Sequence, residues 1–168
     1  FNASLFRDAE GKVRGIFAVA RDVTDQRHLE SELREQQNYS RGLIEASVDA
    51  LVTVSPEGRI TDVNDQMARL TGSNRAGIVG SAFSGWFTEP ERARQGVDET
   101  FRDGMVTDYE LVVRSKAGTE TPVSFNASVF RDTTGRVAGI LAAARDVTQQ
   151  KQLDRQLRAQ PVYNRNLV

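Results

Sequence analysis

The sequence predicts an α+β protein, a five-stranded antiparallel sheet with short helices on one face, flanked by charged linker helices. Three observations carry that reading. Between residues 48 and 148, two strand-forming runs come first, then short helical pieces punctuated by glycine, then three longer strand-forming runs. On either side lie charged stretches free of Gly and Pro, 25–41 and 149–160, with leucines spaced by four. Finally, residues 1–44 return 124 positions later as residues 125–168, with 25 identities in 44 gapless positions. A unit of 124 residues far exceeds a solenoid repeat of about 20–50 residues. It has the size of a domain. The chain therefore reads as a slice of a tandem array, with one complete unit and the tail of the preceding one.

Phe1 to Phe6 and Val13 to Val23 form a predicted hairpin around the turn-forming Asp8-Ala-Glu-Gly11, so residues 1–24 are expected to be the C-terminal hairpin of a preceding repeat. Residues 25–47 follow as a helical linker. Its apolar seam, Leu29, Leu33 and Leu43, is interrupted by Gln36 and Ser40, which limits any coiled coil to a short, weak one. The copy of this seam is Leu153, Leu157, Gln160 and Leu167, and Pro161 should stop or kink the second helix, which opens residues 149–168.

Within 48–148, Ala50–Val54 and Arg59–Val63 are strands joined by the turn Ser55-Pro-Glu-Gly58. Asn64 stands at an N-cap position ahead of Met67 and Leu70, and Gly72 ends that helix. Shorter pieces break at Gly77 and Gly80. Thr88 with Glu91 reads as a capping box and Pro90 as its first-turn proline, opening a helix that carries Val97 and Phe101 and stops at Gly104. Strands at 106–114, 121–131 and 136–147 close the unit.

Composition narrows the function. Lys plus Arg is 22 against 23 for Asp plus Glu, and no basic stripe appears, so nucleic acid is not an expected partner. The absence of Cys excludes disulfides, thiolate metal sites and thiol nucleophiles within the segment, and fits a cytoplasmic location. The apolar run Ile140–Ala144 is far shorter than the ~18 residues of a membrane span, so no membrane segment is expected here.

An ordered set of segments resembles the PAS domain family. These are Val63-Asn64 opening a helix, Leu70-Thr71-Gly72 closing it, Ile78-Val79-Gly80, Phe87-Thr88-Glu89-Pro90, Arg131-Asp132 at the last hairpin, and Arg145-Asp146-Val147-Thr148 before a charged helix. The resemblance spans about residues 40–148 and implies a sheet of strand order 2-1-5-4-3, enclosing a small pocket with the helices. It also implies a sensory module of a multi-domain signalling protein, such as a histidine kinase of a two-component system. The alternative it leaves is a ligand-free dimerisation or spacer module with a packed apolar core.

Strand alternation and the resemblance together assign the pocket lining to Leu111, Val113, Val123, Phe125, Ala127, Ile140, Ala142 and Ala144, with Trp86 from the helical side. Light-sensing flavin-binding relatives place amides where this chain has Val113, Val123 and Ala144, and use a photoreactive Cys that it lacks. No cofactor is therefore expected. A small apolar ligand, or a noncovalent flavin against Trp86, is what such a pocket would take. Haem is not expected, since haem-binding relatives use a His on the long helix, here about 90–103, which has none, and Met67 or Met105 would more simply be packing. His28 lacks the acceptor motif of a phosphorylated histidine, and its repeat counterpart is Gln152, so it reads as a solvated surface residue. No metal cluster, paired carboxylates or nucleophile constellation is present, and the segment is not expected to be an enzyme.

Asp22 and Thr24, repeated as Asp146 and Thr148, stand where a last strand becomes an outgoing helix. Both residue types can cap unpaired helix N–H groups and so set the exit angle, and the resemblance associates this Asp-x-Thr junction with signal relay. The expected partners are a second copy, held through the linker helices or exchanged strands, and neighbouring PAS and effector domains.

Overall fold

A computed structural model describes residues 2–159, which fall into two compact units divided between Gly42 and Leu43. The first unit holds β1 (Asn2–Arg7), β2 (Val13–Val19) and most of α1 (Thr24–Glu45). β1 and β2 form a two-stranded antiparallel ribbon with a bulge between Phe6 and Arg7. β2 ends at Val19, not at the expected Val23, because the chain leaves the ribbon as it approaches the Asp22–Thr24 turn.

The second unit continues with β3 (Ala50–Val54), β4 (Ile60–Val63), α2 (Asp65–Thr71), α3 (Arg75–Ile78), a 3-10 turn (Phe83–Trp86), α4 (Pro90–Asp103), β5 (Met105–Arg114), β6 (Glu120–Arg131), β7 (Val137–Asp146) and α5 (Thr148–Ala159). The sheet order is β4-β3-β7-β6-β5, all antiparallel. Counted within this unit, that is the 2-1-5-4-3 order implied by the family resemblance. The expected stop at Pro161 and the seam residue Leu167 lie outside the described residues, as does Phe1.

Local chemistry explains the helix ends. Asn64 caps α2 by accepting from the Met67 N–H at 3.1 Å, and Gly72, in the left-handed region at φ 64°, closes it. Asn74 caps α3 in the same way through Gly77 N–H. The capping box expected at Thr88 does not form. Glu89 occupies the cap position of α4 with no side-chain bond, because Thr88 is drawn to the sheet, where its N–H donates to Val112 O at 3.0 Å.

The core lies between one sheet face and the helices. β3 contributes Ala50, Val52 and Val54; β4 Ile60 and Val63; the helical layer Met67, Ile78, Phe83, Phe87 and Ala93. The alternation expected for β6 holds in the middle of the strand, with Val123 and Phe125 buried and Asn126 and Ser128 exposed. In β5 a bulge between Val106 and Tyr109, where Asp108 takes φ 52°, resets the alternation before Leu111 and Val113 turn inward.

Candidate functional site

The junction from β7 to α5 is tied to β6 and β5. Asp146 Oδ1 accepts from the Thr148 N–H at 2.8 Å and from the Thr148 hydroxyl at 2.6 Å. Thr148 therefore gives its hydroxyl to Asp146, rather than accepting helix N–H groups as a cap; Asp146 does the accepting. Between them Val147 is buried, its N–H donates to Pro122 O of β6 at 3.1 Å, and its carbonyl takes the Lys151 N–H at 2.9 Å. One turn on, Lys151 Nζ reaches Glu110 of β5 at 2.6 Å. Just upstream, Arg145 grips Asp49 with two bonds of 3.2 and 3.1 Å, and this pairing raises the Arg145 pKa.

The first unit repeats the turn. Asp22 Oδ1 accepts from the Thr24 N–H at 2.9 Å and its hydroxyl at 2.6 Å, and these bonds, the hydroxyl first, hold the Asp22 carboxyl below its ordinary pKa. The same pair of bonds recurs at Asp132 and Thr134 in the β6–β7 hairpin turn. The Asp-x-Thr bond pair is thus a local backbone device. What distinguishes Asp146 is its position, between the last strand and a helix.

The interior pocket is nearly filled. Leu111, Phe125, Ala127, Ile140 and Ala142, from the expected lining, surround a void of ≈ 20 Å³ together with Phe83, Ala93 and Tyr109. That volume has room for about one water molecule. Val113, Val123 and Ala144 are buried in the core without lining the void. Trp86 does not line it either; it is partly buried and its Nε1–H donates to Ser81 Oγ at 2.9 Å. Phe83, which the strand pattern could not point to, closes the space instead. Its ring lies 4.7 Å from that of Phe87 and 5.8 Å from that of Phe125, and the Phe87 and Phe125 centroids are 5.6 Å apart.

Residues 48–149 match the PAS domain family. The chain belongs to that family. Domains of this family are typically non-catalytic sensory domains. Among curated proteins the PAS chain is similar to sensor protein FixL of Bradyrhizobium diazoefficiens, at 22% identity over 92% of this chain and 32% of that protein. It thus spans about a third of that relative's length. Solved structures with the same fold include the PAS domain of an HTR-like protein from Haloarcula marismortui (TM-score 0.60, 19% identity, 71% of this chain and 98% of that one). Another is a domain of a sensory box sensor histidine kinase/response regulator from Geobacter sulfurreducens (TM-score 0.56, 23% identity, 68% and 96%). The structural likenesses, all below 25% identity, show the shared fold.

Around the PAS domain, the seam leucines are open to solvent: Leu29 and Leu33 in the first unit, Leu43, Leu153 and Leu157 in the second. His28 is exposed, 3.4 Å from Glu32 one turn along. Met67 is wholly buried packing, and Met105 is exposed. Among the described residues, no three His, Cys, Asp or Glu side chains are grouped to hold a metal ion, and no helix is long and apolar enough to cross a membrane. One residue has more structural reach than its expected cap role suggested. Buried Asn64 also accepts from the Leu51 N–H at 2.9 Å and donates to Asp49 O at 3.1 Å and Ile44 O at 3.2 Å.

Proposed function

We propose that this chain relays a change in its PAS sheet to the outgoing helix through Asp146 and Thr148, inside a multi-domain signalling protein such as a sensor histidine kinase. The observation that carries this is the anchoring of the first turn of α5. Its opening N–H and hydroxyl are both held by one carboxylate at the end of β7, while the Val147 N–H is held by β6. A relative shift of β6 and β7 must therefore alter the start of α5. A signal can bias two such states only by interacting differently with each. The exposed seam leucines support a homodimer through the linker helices, with neighbouring PAS and effector domains as further partners in the cytoplasm.

The ≈ 20 Å³ void favours an input that arrives at a surface or interface over one carried by a flavin or haem. It equally supports a second reading, a ligand-free spacer that only dimerises. Asp146→Ala in the full-length parent separates the two. The relay reading expects the signalling output to become insensitive to stimulus while the domain stays folded; an unchanged output would leave only the spacer. Absorbance beyond the aromatic band and native mass spectrometry of the purified protein check the cofactor question directly.

A further inference from the structure

We infer that the β1–β2 hairpin is the closing strand pair of a second PAS sheet, and that its apolar face seats a β3-type strand and helical layer supplied by residues upstream in the same polypeptide. This rests on the family assignment, not on the relay.

The hairpin reproduces β6–β7 in register. Ala3 pairs with Ala18, Leu5 with Ile16 and Phe6 with Gly15, followed by a bulge that brings Arg7 to Val13. At a constant offset, Ala127 pairs with Ala142, Val129 with Ile140 and Phe130 with Gly139, and the bulge brings Arg131 to Val137. The turns agree as well: Arg7 donates to Gly11 O at 3.0 Å and Arg131 to Gly135 O at 2.9 Å. Strand pairs alone do not require this. A free-standing ribbon has no reason to preserve the bulge position of a five-stranded sheet.

The residues that would meet a core are kept, yet uncovered. Ala3, Ile16, Ala18 and Ala20 are identical to Ala127, Ile140, Ala142 and Ala144, and Leu5 replaces Val129. Ile140 is 2% exposed, whereas Ile16 is 70% exposed. An isolated two-stranded hairpin is marginal in water at best, and this one carries the inner face of a domain.

Two further residues make sense only beside the missing layer. A Cβ at Gly139 would sit 2.6 Å from the Val54 carbonyl oxygen of β3, so glycine is required there by a neighbouring strand. Gly15 holds the matching position with nothing within 4 Å of such a Cβ. Arg145 is paired with Asp49, the residue just before β3. Its counterpart Arg21 forms no ion pair among the described residues. The occupant is therefore a strand that brings a carbonyl against Gly15, preceded by an acid that reaches Arg21.

Exchange with a second copy of this chain would not cover every hairpin. Each copy has two hairpins of this kind but one layer of β3, β4 and helices, so exchange between copies always leaves one hairpin per chain uncovered.

Hydrogen exchange across residues 2–19, compared between the 168-residue chain and the full-length parent, tests this. Protection should be near nil in the former and rise by about 100-fold or more in the parent. In the parent, Gly15→Ala should remove that protection and leave residues 50–146 unchanged, while Asp146→Ala should not affect it, which separates this inference from the relay. Equal, fast exchange in both proteins would overturn it, as would an indifferent Gly15→Ala. Protection in the 168-residue chain that grows with protein concentration would also overturn it, by making a second copy the occupant.

Discussion

Asn64 donates its side-chain N–H to the carbonyl of Ile44 at 3.2 Å, tying the last turn of α1 to the cap of α2. The same amide holds Asp49 and Leu51, so one buried side chain joins the incoming helix, the first core strand and the first core helix. Asn64→Ala strands the Leu51 and Met67 N–H groups at once. With about 1–3 kcal/mol for each unsatisfied donor, the second unit should lose about 2–6 kcal/mol, read by urea denaturation. A loss below about 1 kcal/mol would mean that water replaces the amide.

Gly139 is pinned between the Val54 carbonyl and the Phe130 ring, whose Cε1 would lie 3.1 Å from an added Cβ. Because the closest atom is backbone, it cannot swing aside. Gly139→Ala should cost about 1–3 kcal/mol by overpacking. Thermal melts of the variant should fall accordingly; an unchanged midpoint would show that β3 and β7 separate freely at this end.

At the junction, Thr148→Val removes the hydroxyl bond to Asp146 and keeps the backbone one. Amide exchange should quicken in the first turn of α5 while the β6 and β7 amides stay unchanged. Asp146→Ala should quicken it further, and adding Thr148→Val to that variant should then have little effect, since both act through one carboxylate. Independent, additive effects would argue against the shared bond.

Phe125 packs edge-on against both Phe83 and Phe87, which also touch each other. Phe125→Ala should destabilise by about 3–5 kcal/mol and open an apolar cavity. Small apolar molecules such as benzene should then raise the melting temperature of the variant and leave the native protein unaffected. A native protein that responds equally would show that its core already opens to ligands.

Asp132 and Tyr109 each link stability to pH, Asp132 alongside other carboxylates such as Glu57 and Asp103 whose pKa is also lowered. The Thr134 hydroxyl bond, foremost, lowers the Asp132 pKa, so the folded state favours the carboxylate. Its contribution is present above the ordinary carboxylate range and lost as pH falls through the lowered value. Burial raises the Tyr109 pKa, and its hydroxyl donates to Arg92 O at 2.8 Å. That contribution is present below the ordinary phenol range and lost as pH rises through the raised value. Unfolding followed against pH should show Asp132→Asn flattening the acid limb and Tyr109→Phe the alkaline one.

Much of this was legible in the residues because it is local. Asn64 and Gly72 delimit α2 through bonds within a few residues, and the alternation from Val123 to Ser128 assigns the two faces of central β6. The expected Thr88 cap failed where a local preference met a stronger distant partner, the Val112 carbonyl. Phe83 went unread as a pocket residue because a 3-10 turn of four residues has no period from which a buried face can be inferred.

By itself, the sequence determined the element types, the repeat, the sheet-and-helix class and the Asp-x-Thr turns, all of which follow from spacing and short-range bonds. Only the tertiary structure decided that the pocket shrinks to ≈ 20 Å³, that Asn64 reaches Ile44, and that Gly139 is required by Val54. Those outcomes depend on how closely surfaces distant in the chain approach one another. Side-chain volume and hydrogen-bond reach enforce that distance only once the layers have packed.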